Sequence, residues 1–412
     1  MKIRWSLIII LFLIAALALA GGFDLLWRLF IFLVVMLLLS YLWLRLNIRY
    51  IGGSVEKLPD YCQIGERFEE EFSFFNTSRI PTSLIEVQED TDFPGYQNKV
   101  AFNLASRDAL GWSTEIRCQH RGRYNLGTLT AKVTDPIGFF AMSQRFGETQ
   151  SVIVYPATLE LPFFQVLPRQ EPGSSPRRWL ASEAGPNASR VREYASGDSL
   201  RHIHWHSTAH TGNLMVKEFD PDRYNYVFKN IWIVLDMHQA CQFGDGDETT
   251  GEYGVTIAAS LAKKYIESGK RVGLIASGDH PYIFLPETGR EHLEHILQAL
   301  AVVKASGKIP LDALLESQSE RFEAGSAVIV VTPSGSRGMA AQLRRVVSNG
   351  TGVTAILLDA ISFGGKTGAS DTARSLIPGG IHVYIVRRGV EIARALDSRF
   401  ISSPAQYIGD KK

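Results

Sequence analysis

The N-terminal end of the chain is its most apolar part. Residues 5–23 carry no charged side chain, and residues 25–44 form a second apolar stretch that only Arg28 interrupts. A helix of about 19 residues rises roughly 28 Å, close to the thickness of the hydrocarbon layer of a bilayer. The pattern therefore predicts a transmembrane hairpin of two helices over residues 1–49.

Basic residues flank both outer ends of this predicted hairpin. Lys2 and Arg4 precede the first helix, and Arg45 and Arg49 follow the second. Because Lys and Arg concentrate on the cytoplasmic side, we expect a two-pass protein of the cell (inner or plasma) membrane, with both termini and the bulk of the chain in the cytoplasm. The alternative is a signal peptide cleaved near Ala20, after which the second helix would still return the chain to the cytoplasm.

The hydrophobic period changes after the apolar segment. Short alternating runs recur between residues 50 and 160 and are separated by Gly, Pro and Asn turns, which is typical of an antiparallel all-β sandwich domain. Residues 156–188 contain six prolines, so residues 161–228 are interpreted as a linker followed by a charged segment.

Residues 229–412 alternate between buried-type strands and amphipathic helices. This alternation predicts a doubly wound, mostly parallel, Rossmann-like α/β domain, in a multidomain chain whose boundaries we place at 49, 160 and 228. The predicted strands are 231–235, 271–276, 281–285, 327–331, 353–358 and 382–386, and the predicted helices are 253–268, 291–303, 312–322 and 339–348.

Composition narrows the functional classes. The charges of the 43 basic and 42 acidic side chains nearly cancel, so the net charge produces no positive electrostatic potential that would favour nucleic acid as a partner. The three cysteines, Cys62, Cys118 and Cys241, are odd in number and far apart in sequence. They predict neither a disulfide framework nor a metal site, and they fit a reducing compartment.

The charged segment at residues 189–222 has its own pattern. Residues 201–208 alternate basic with apolar side chains and residues 214–219 are apolar-rich, which predicts two strands joined by a tight turn at Thr211-Gly212-Asn213. The segment resembles the signature of domain of unknown function family 58 (DUF58). The residues that carry this resemblance, and that we assign to structural interaction, are Arg190, Arg192, Tyr194, Gly197, Asp198, Arg201, His204, Trp205, Lys217 and Glu218.

The resemblance implies a prokaryotic, membrane-anchored protein with a von Willebrand factor type A-like domain. Such proteins are associated with MoxR-type AAA+ ATPases. The metal-dependent site of a von Willebrand A domain reads Asp-x-Ser-x-Ser after its first strand. Here Asp236 is present, but His238 and Ala240 replace the two serines, and Thr332-Pro333-Ser334 stands where an acidic residue is expected. We therefore predict a degenerate site without a metal, and a candidate binding face at Asp236, His238, Ala240, Thr332 and Ser334.

Three function classes remain open at this stage. The favoured one is a non-enzymatic adaptor without a cofactor, whose partners are the bilayer, a MoxR-type ATPase and other membrane or von Willebrand A-like proteins. The second is a module that binds a peptide or an envelope component through the strand-end face. The third is a metal-dependent enzyme using His202, His204 and His206, which would share one face of a strand but lie roughly 7 Å apart.

Overall fold

The chain divides into two compact units, Met1–Ala157 and Thr158–Lys412. The computed structural model describes residues 2–3, 5–21, 24–166, 190–194, 203–218 and 228–398. Each unit has its own sheets and its own buried apolar residues. The chain is therefore multidomain, as its changing hydrophobic period predicts.

Two apolar helices open the first unit. Helix α1 covers Trp5–Gly21 and helix α2 covers Asp24–Tyr50. Among the described residues α2 alone is long and apolar enough to cross a membrane, since α1 has 17 residues. The second predicted apolar segment is thus confirmed as one long helix, which continues six residues past its predicted end at Leu44.

Three small β-sheets form the body of the first unit. Their strand orders are β1-β10-β9-β5-β6, β2-β4-β7 and β3-β11-β8, and every pairing is antiparallel except that of β11 with β3. The strands are β1 Lys2–Ile3, β2 Ile51–Val55, β3 Tyr61–Gln63, β4 Arg67–Asn76, β5 Ile85–Asp90, β6 Lys99–Phe102, β7 Ala109–Arg117, β8 Gly122–Leu126, β9 Thr128–Thr134, β10 Phe140–Phe146 and β11 Gln150–Tyr155.

Alternating burial along β4 shows why this region folds as half-buried sheet. Phe72 and Phe74 are buried, while the alternate residues Glu71, Ser73 and Phe75 are exposed. The two buried rings pack in one core with residues of the facing five-stranded sheet and with Leu44 of α2. Complete burial of one such ring contributes roughly 1.5–3 kcal/mol.

The charged segment differs from its prediction in one element. Strand β12 (Arg190–Glu193) pairs antiparallel with β13 (Met215–Glu218), so the second predicted strand is confirmed. The first predicted strand, at 201–208, is wrong from Trp205 onward, because Trp205–Thr211 forms a short helix, α3, whereas Ile203 makes an antiparallel bridge with Val216 of the second strand. Gly212 ends that helix in the left-handed region at φ 76°, so the predicted turn residue terminates a helix instead of joining two strands.

A six-stranded sheet organises the second unit. Its order is β18-β17-β14-β19-β20-β21, and all pairings are parallel except that of edge strand β18 with β17. The elements are β14 Ile231–Leu235, β15 Gly244–Asp245, β16 Glu248–Thr249, α4 Thr250–Glu267, β17 Val272–Ser277, β18 Pro281–Glu287, α5 Arg290–Val302, α6 Leu311–Ser317, β19 Ala327–Thr332, α7 Arg337–Ser348, β20 Gly352–Leu358, α8 Ala369–Leu376, β21 His382–Val386 and α9 Ile392–Ala395. The predicted mostly parallel α/β sheet is confirmed.

Helices cover this sheet on both faces. Val234 and Val330 belong to the core that includes α6, α7 and α8. Their chain neighbours Leu235 and Val331 face Gly254 of α4 instead. Because successive strand residues point to opposite faces, α4 lies on the side opposite to α6–α8. Both faces are therefore dry, which explains why the central strands are continuously apolar.

Candidate functional site

The strand order reverses at the centre of the six-stranded sheet. From β14 the chain moves outward to β17 and β18, and then returns to place β19 on the other side of β14. In open α/β sheets the crevice beyond the carboxyl ends of two such strands is the usual ligand position. Here that position lies between Asp236, which follows β14, and Thr332, which ends β19.

The Asp236 carboxylate is buried and bonded to the protein on both oxygens. Its side chain is 4% exposed. The Thr332 hydroxyl donates to Oδ2 at 2.6 Å and the His238 amide donates to Oδ1 at 3.1 Å. The Cys241 thiol donates to Oδ2 at 3.5 Å. Burial raises the pKa of this carboxyl above its ordinary value, and the bonds from Thr332 and His238 oppose that shift.

The loop after β14 is held in place by a second layer of hydrogen bonds. The side-chain NH2 group of Gln242 donates to the backbone carbonyl of Asp236 at 2.8 Å. The side-chain oxygen of Gln242 accepts from the Thr250 hydroxyl at 2.7 Å. On the β19 side, the Ser334 amide donates to the Thr332 hydroxyl oxygen at 2.9 Å. The Thr332 hydroxyl thus joins the two strand-end loops through one side chain.

Part of the crevice is filled by the chain itself. The Gly307 amide donates to the Met237 carbonyl and the Gly307 carbonyl accepts from the Gln239 amide, both at 2.9 Å. A Cβ on Gly307 would lie 2.1 Å from the carbonyl oxygen of Ser277, the last residue of β17, so this approach requires glycine. Gly307 therefore covers part of the crevice at the ends of β14 and β17.

Four of the five predicted binding-face residues lie together at these strand ends. Asp236, the His238 backbone, Thr332 and Ser334 form one hydrogen-bonded group. His238 and Ser334 are half-buried, and Ala240 is exposed. Within the described ranges no three His, Cys, Asp or Glu side chains are placed to hold a metal. Since Asp236 already accepts three protein donors, the group is suited to holding two loops together, and the degenerate-site prediction remains to be tested.

The signature residues are only partly described. Gly197, Asp198, Arg201 and His202 lie outside the described residues. The backbone register places Arg190 opposite Glu218, and Lys217 lies next to Glu218 on the same strand.

The described signature residues hold the backbone of the segment in two ways. The Arg192 guanidinium donates to the Glu193 carbonyl at 2.9 Å, and the Tyr194 amide donates to the Leu214 carbonyl at 2.8 Å. Trp205, the first residue of α3, is 68% exposed.

One histidine of this segment, His204, has a capping role that the strand interpretation missed. His204 Nδ1 accepts from the Ser207 amide at 3.2 Å and caps α3. The ring centroids of His204 and His206 are 6.1 Å apart, and those of His206 and His210 are 5.7 Å apart. Because His206 lies on a helix, the shared strand face that motivated the three-histidine metal site is not present there.

Two side-chain clusters in the first unit were not anticipated from sequence. The sulfur atoms of Cys62 and Cys118 lie 2.6 Å apart although 56 positions separate them, and both side chains are buried. The sequence spacing gave no sign of this pair, because β3 and the end of β7 are brought together only by the fold.

The second cluster is a pair of buried carboxyl groups. The Tyr96 hydroxyl lies 3.0 Å from Glu89 Oε2 and 3.4 Å from Glu70 Oε2. Burial and the nearby Glu89 charge raise the pKa of Glu70 to about 8. The strand pattern does contain a signal, since both glutamates occupy inward positions of alternating strands.

Residues 190–360 match the family described as "Protein of unknown function DUF58". This range runs from the start of β12 to two residues past the end of β20, and it includes every residue of the strand-end group. Among curated proteins, "Uncharacterized protein YeaD" of Bacillus subtilis (strain 168) is a distant homologue, 25% identical over 203 residues. The alignment covers 49% of this chain and 48% of the relative, so the chain spans about half the length of the relative that it matches.

Two solved structures each overlap with about a quarter of this chain. The CARDB domain of a Pyrococcus furiosus protein is 14% identical, with a TM-score of 0.19, over 25% of this chain and 87% of that one. A beta-glucosidase from Listeria innocua is 14% identical, with a TM-score of 0.18, over 25% of this chain and 16% of that one. Overlaps of this size carry no argument about the fold or the activity of this chain.

Proposed function

We propose that this chain, which carries a DUF58 family domain at residues 190–360, is a membrane-anchored adaptor. It works beside a MoxR-type AAA+ ATPase in the assembly or maturation of other proteins. The helices α1 and α2 anchor it in the cell membrane, and both termini and the remainder of the chain lie in the cytoplasm.

The membrane hairpin is supported by where the two helix ends lie. Strand β1, which precedes α1, pairs with β10, and the final part of α2 contacts β10 as well. Both outer ends of the helix pair therefore reach the same β unit, as a hairpin requires. Basic residues at these ends favour the cytoplasmic side.

The domain interpretation rests on packing and strand order. The five-stranded sheet and the β2-β4-β7 sheet share one core, which favours a sandwich-like β unit. The second unit combines the order β18-β17-β14-β19-β20-β21, an antiparallel edge strand and an aspartate at the switch point, which favours a von Willebrand A-like domain.

The adaptor role rests on one observation, the internally bonded carboxylate of Asp236. A hard cation needs several oxygen ligands that it can reach, whereas both oxygens of Asp236 accept donors from Thr332, Cys241 and His238. The accessible strand-end face at His238, Ala240 and Ser334 is therefore suited to recognition of a protein surface. The same exposed position at Ala240 favours, as the second candidate, a module that binds a peptide or an envelope component.

Affinity capture tests the adaptor role. The full-length chain, solubilised from membranes in mild detergent, is expected to retain a MoxR-type ATPase of the same cells. Paired substitutions His238→Trp and Ser334→Trp should reduce the recovered ATPase while leaving the amount of captured bait unchanged. Recovery of no ATPase with the unaltered chain would refute the proposed partnership. Recovery unaffected by the two substitutions would show that the ATPase does not bind at this face.

A further inference from the structure

Helix α2 changes partners along its length. Leu26, Phe30 and Leu37 are half-buried in its first part, where α2 contacts α1. Ser40, Leu44 and Asn47 are buried in its second part, where α2 contacts β9 and β10. Because these positions recur every three to four residues, they follow one face of the helix, which passes from the apolar helix pair onto the β unit near Ser40.

A buried polar bond marks this passage. The Ser40 hydroxyl donates to Asp135 Oδ2 at 2.6 Å, and both side chains are buried. Asp135 also accepts from the Phe140 amide at 2.7 Å and from the Ile137 amide at 3.3 Å. One carboxylate therefore fixes the turn Asp135–Phe140 and joins that turn to α2 at the level of Ser40.

The turn exposes apolar side chains at the level of Ser40 of α2. Ile137 is 49% exposed, and Pro136 beside it is exposed as well. The Phe140 ring lies edge-on to the Tyr41 ring of α2, with centroids 6.0 Å apart. An exposed isoleucine at the tip of a well-formed turn, beside an apolar helix, is unlike the polar tip of an ordinary surface turn.

Aromatic and basic residues of α2 indicate where the turn lies relative to a bilayer. Trp27 and Arg28 lie near the start of α2, and Trp43 and Arg45 lie near the turn, about 24 Å further along the helix. The residues 29–39 between them carry no charge. Tryptophan and tyrosine collect at the two membrane interfaces, and arginine extends from there into water.

We propose that the turn Asp135–Phe140 enters the headgroup region of the bilayer beside α2, with Ile137 in contact with lipid. This inference rests on the membrane anchoring proposed above. It makes the β unit a body seated on the membrane surface instead of one tethered by a linker. The connection supports this, because α2 ends at Tyr50 and β2 begins at Ile51, with no residues between.

The chain offers a matched control at Ile80. Ile80 is 39% exposed, and it follows Thr77, whose amide donates to the Tyr50 carbonyl at 2.9 Å. Tyr50 lies about 15 Å further along α2 than Ser40, on the side away from the apolar stretch. Ile80 is thus a similarly exposed apolar residue in the same unit, and we expect it to lie in water.

A lipid-quenching experiment tests the proposal on the full chain in phospholipid vesicles. Single cysteines replace Ile137, Ile80 or Phe32, the last an exposed residue in the middle of α2, in a Cys241→Ser background. Each cysteine is labelled with an environment-sensitive fluorophore, and the parent without the added cysteine controls for labelling of buried Cys62 and Cys118. Vesicles without nitroxide are then compared with vesicles carrying a shallow, headgroup-level nitroxide lipid and with vesicles carrying a deep, acyl-chain nitroxide lipid.

We expect blue-shifted emission that the shallow nitroxide quenches at Ile137→Cys and the deep nitroxide quenches at Phe32→Cys, and water-like, unquenched emission at Ile80→Cys. Quenching at Phe32→Cys with none at Ile137→Cys would overturn the inference and leave the anchoring intact. Equal quenching at Ile137→Cys and Ile80→Cys would overturn it too, because contact would not be specific to the turn. The absence of quenching at Phe32→Cys would overturn the membrane anchoring and this inference with it.

Discussion

The substitution Thr332→Val tests the hydrogen-bonded group at the switch point. Valine keeps the branched shape of threonine and removes the hydroxyl that donates to Asp236 and accepts from the Ser334 amide. A hydrogen bond to a charged group contributes about 1.5–3 kcal/mol, and the Asp236 carboxylate would remain buried with one donor fewer. For a domain of this size, that loss lowers the midpoint of thermal unfolding by roughly 5 °C.

Thr354→Val is the matched control. Thr354 is also fully buried in a central strand, β20, but its hydroxyl has no hydrogen-bond partner among the described residues. The same change of side chain there removes an unsatisfied polar group, so we expect a neutral or stabilising effect. The difference between the two variants isolates the bond to Asp236 from the change in shape.

The effect of Thr332→Val should also depend on pH in a defined direction. Burial raises the folded-state pKa of Asp236 above its value in the unfolded chain. A raised acid pKa contributes stability that is present below the unfolded pKa and is lost as pH rises through the folded pKa. A protonated Asp236 needs the donor less, so the cost of Thr332→Val should shrink toward acid pH.

Thermal unfolding of the full chain in detergent, followed at pH 4 to 8, measures both effects. Because the chain has two units, hydrogen exchange at the β14 and β19 amides should accompany it to assign the change to the sheet. Equal destabilisation by Thr332→Val and Thr354→Val, or a cost for Thr332→Val that does not vary with pH, would refute this account of the site.

Three further predictions concern the first unit. A mild disulfide oxidant acting on the purified chain should link Cys62 to Cys118, because their sulfur atoms are 2.6 Å apart. The closed loop should stabilise the unit by about 4 kcal/mol. Mass spectrometry detects the link, and failure to form it would contradict the contact. The free energy of unfolding of this unit should fall as pH rises from about 4.5 to about 8, because the Glu70 pKa is raised over that range, with a slope of up to about 1.4 kcal/mol per pH unit. Glu70→Gln should flatten that slope, and an unchanged slope in denaturant titrations would contradict the assignment. Finally, Ile80→Cys should not react with a membrane-impermeant thiol reagent in whole cells, because the proposed topology places residues from 50 onward in the cytoplasm; strong labelling would contradict that topology.

Sequence periodicity was sufficient for the α/β sheet because its strands are buried on both faces. The runs at 231–235 and 382–386 coincide with β14 and β21 at both ends. Helix α8 was not anticipated, since Ala369–Leu376 is short and its apolar residues are few. The predicted helix at 312–322 ends at Ser317, where the chain continues as a single tighter turn.

The candidate site was predictable in position but not in its bonding. Asp236 follows one parallel strand and Thr332 ends another, so both lie at the carboxyl ends of the strands, and the strand order makes them adjacent. The hydrogen bond between them depends on side-chain directions that no spacing rule supplies. The Cys62–Cys118 and Ser40–Asp135 contacts were inaccessible for the same reason, because 56 and 95 positions separate the partners.

Strand and helix also competed at residues 203–211, where the alternating basic and apolar pattern favoured a strand. His204 accepts from the Ser207 amide and Gly212 ends the following turns with a positive φ, so local capping outweighs the alternation. Histidine is an uncommon capping residue, which explains why the sequence did not indicate a helix start there.

Binding between the purified partners tests the central claim most directly. The full chain in lipid nanodiscs should bind the purified MoxR-type ATPase of its own organism, and Ala240→Trp, at an exposed position on the strand-end face, should weaken that binding at least about tenfold, which corresponds to about 1.4 kcal/mol. Asn349 is exposed and precedes β20, so it lies near the amino-terminal ends of the parallel strands, away from the strand-end face. The Asn349→Trp variant should bind as the unaltered chain does. The absence of binding by the unaltered chain, or equal affinities for Ala240→Trp and Asn349→Trp, would contradict the account.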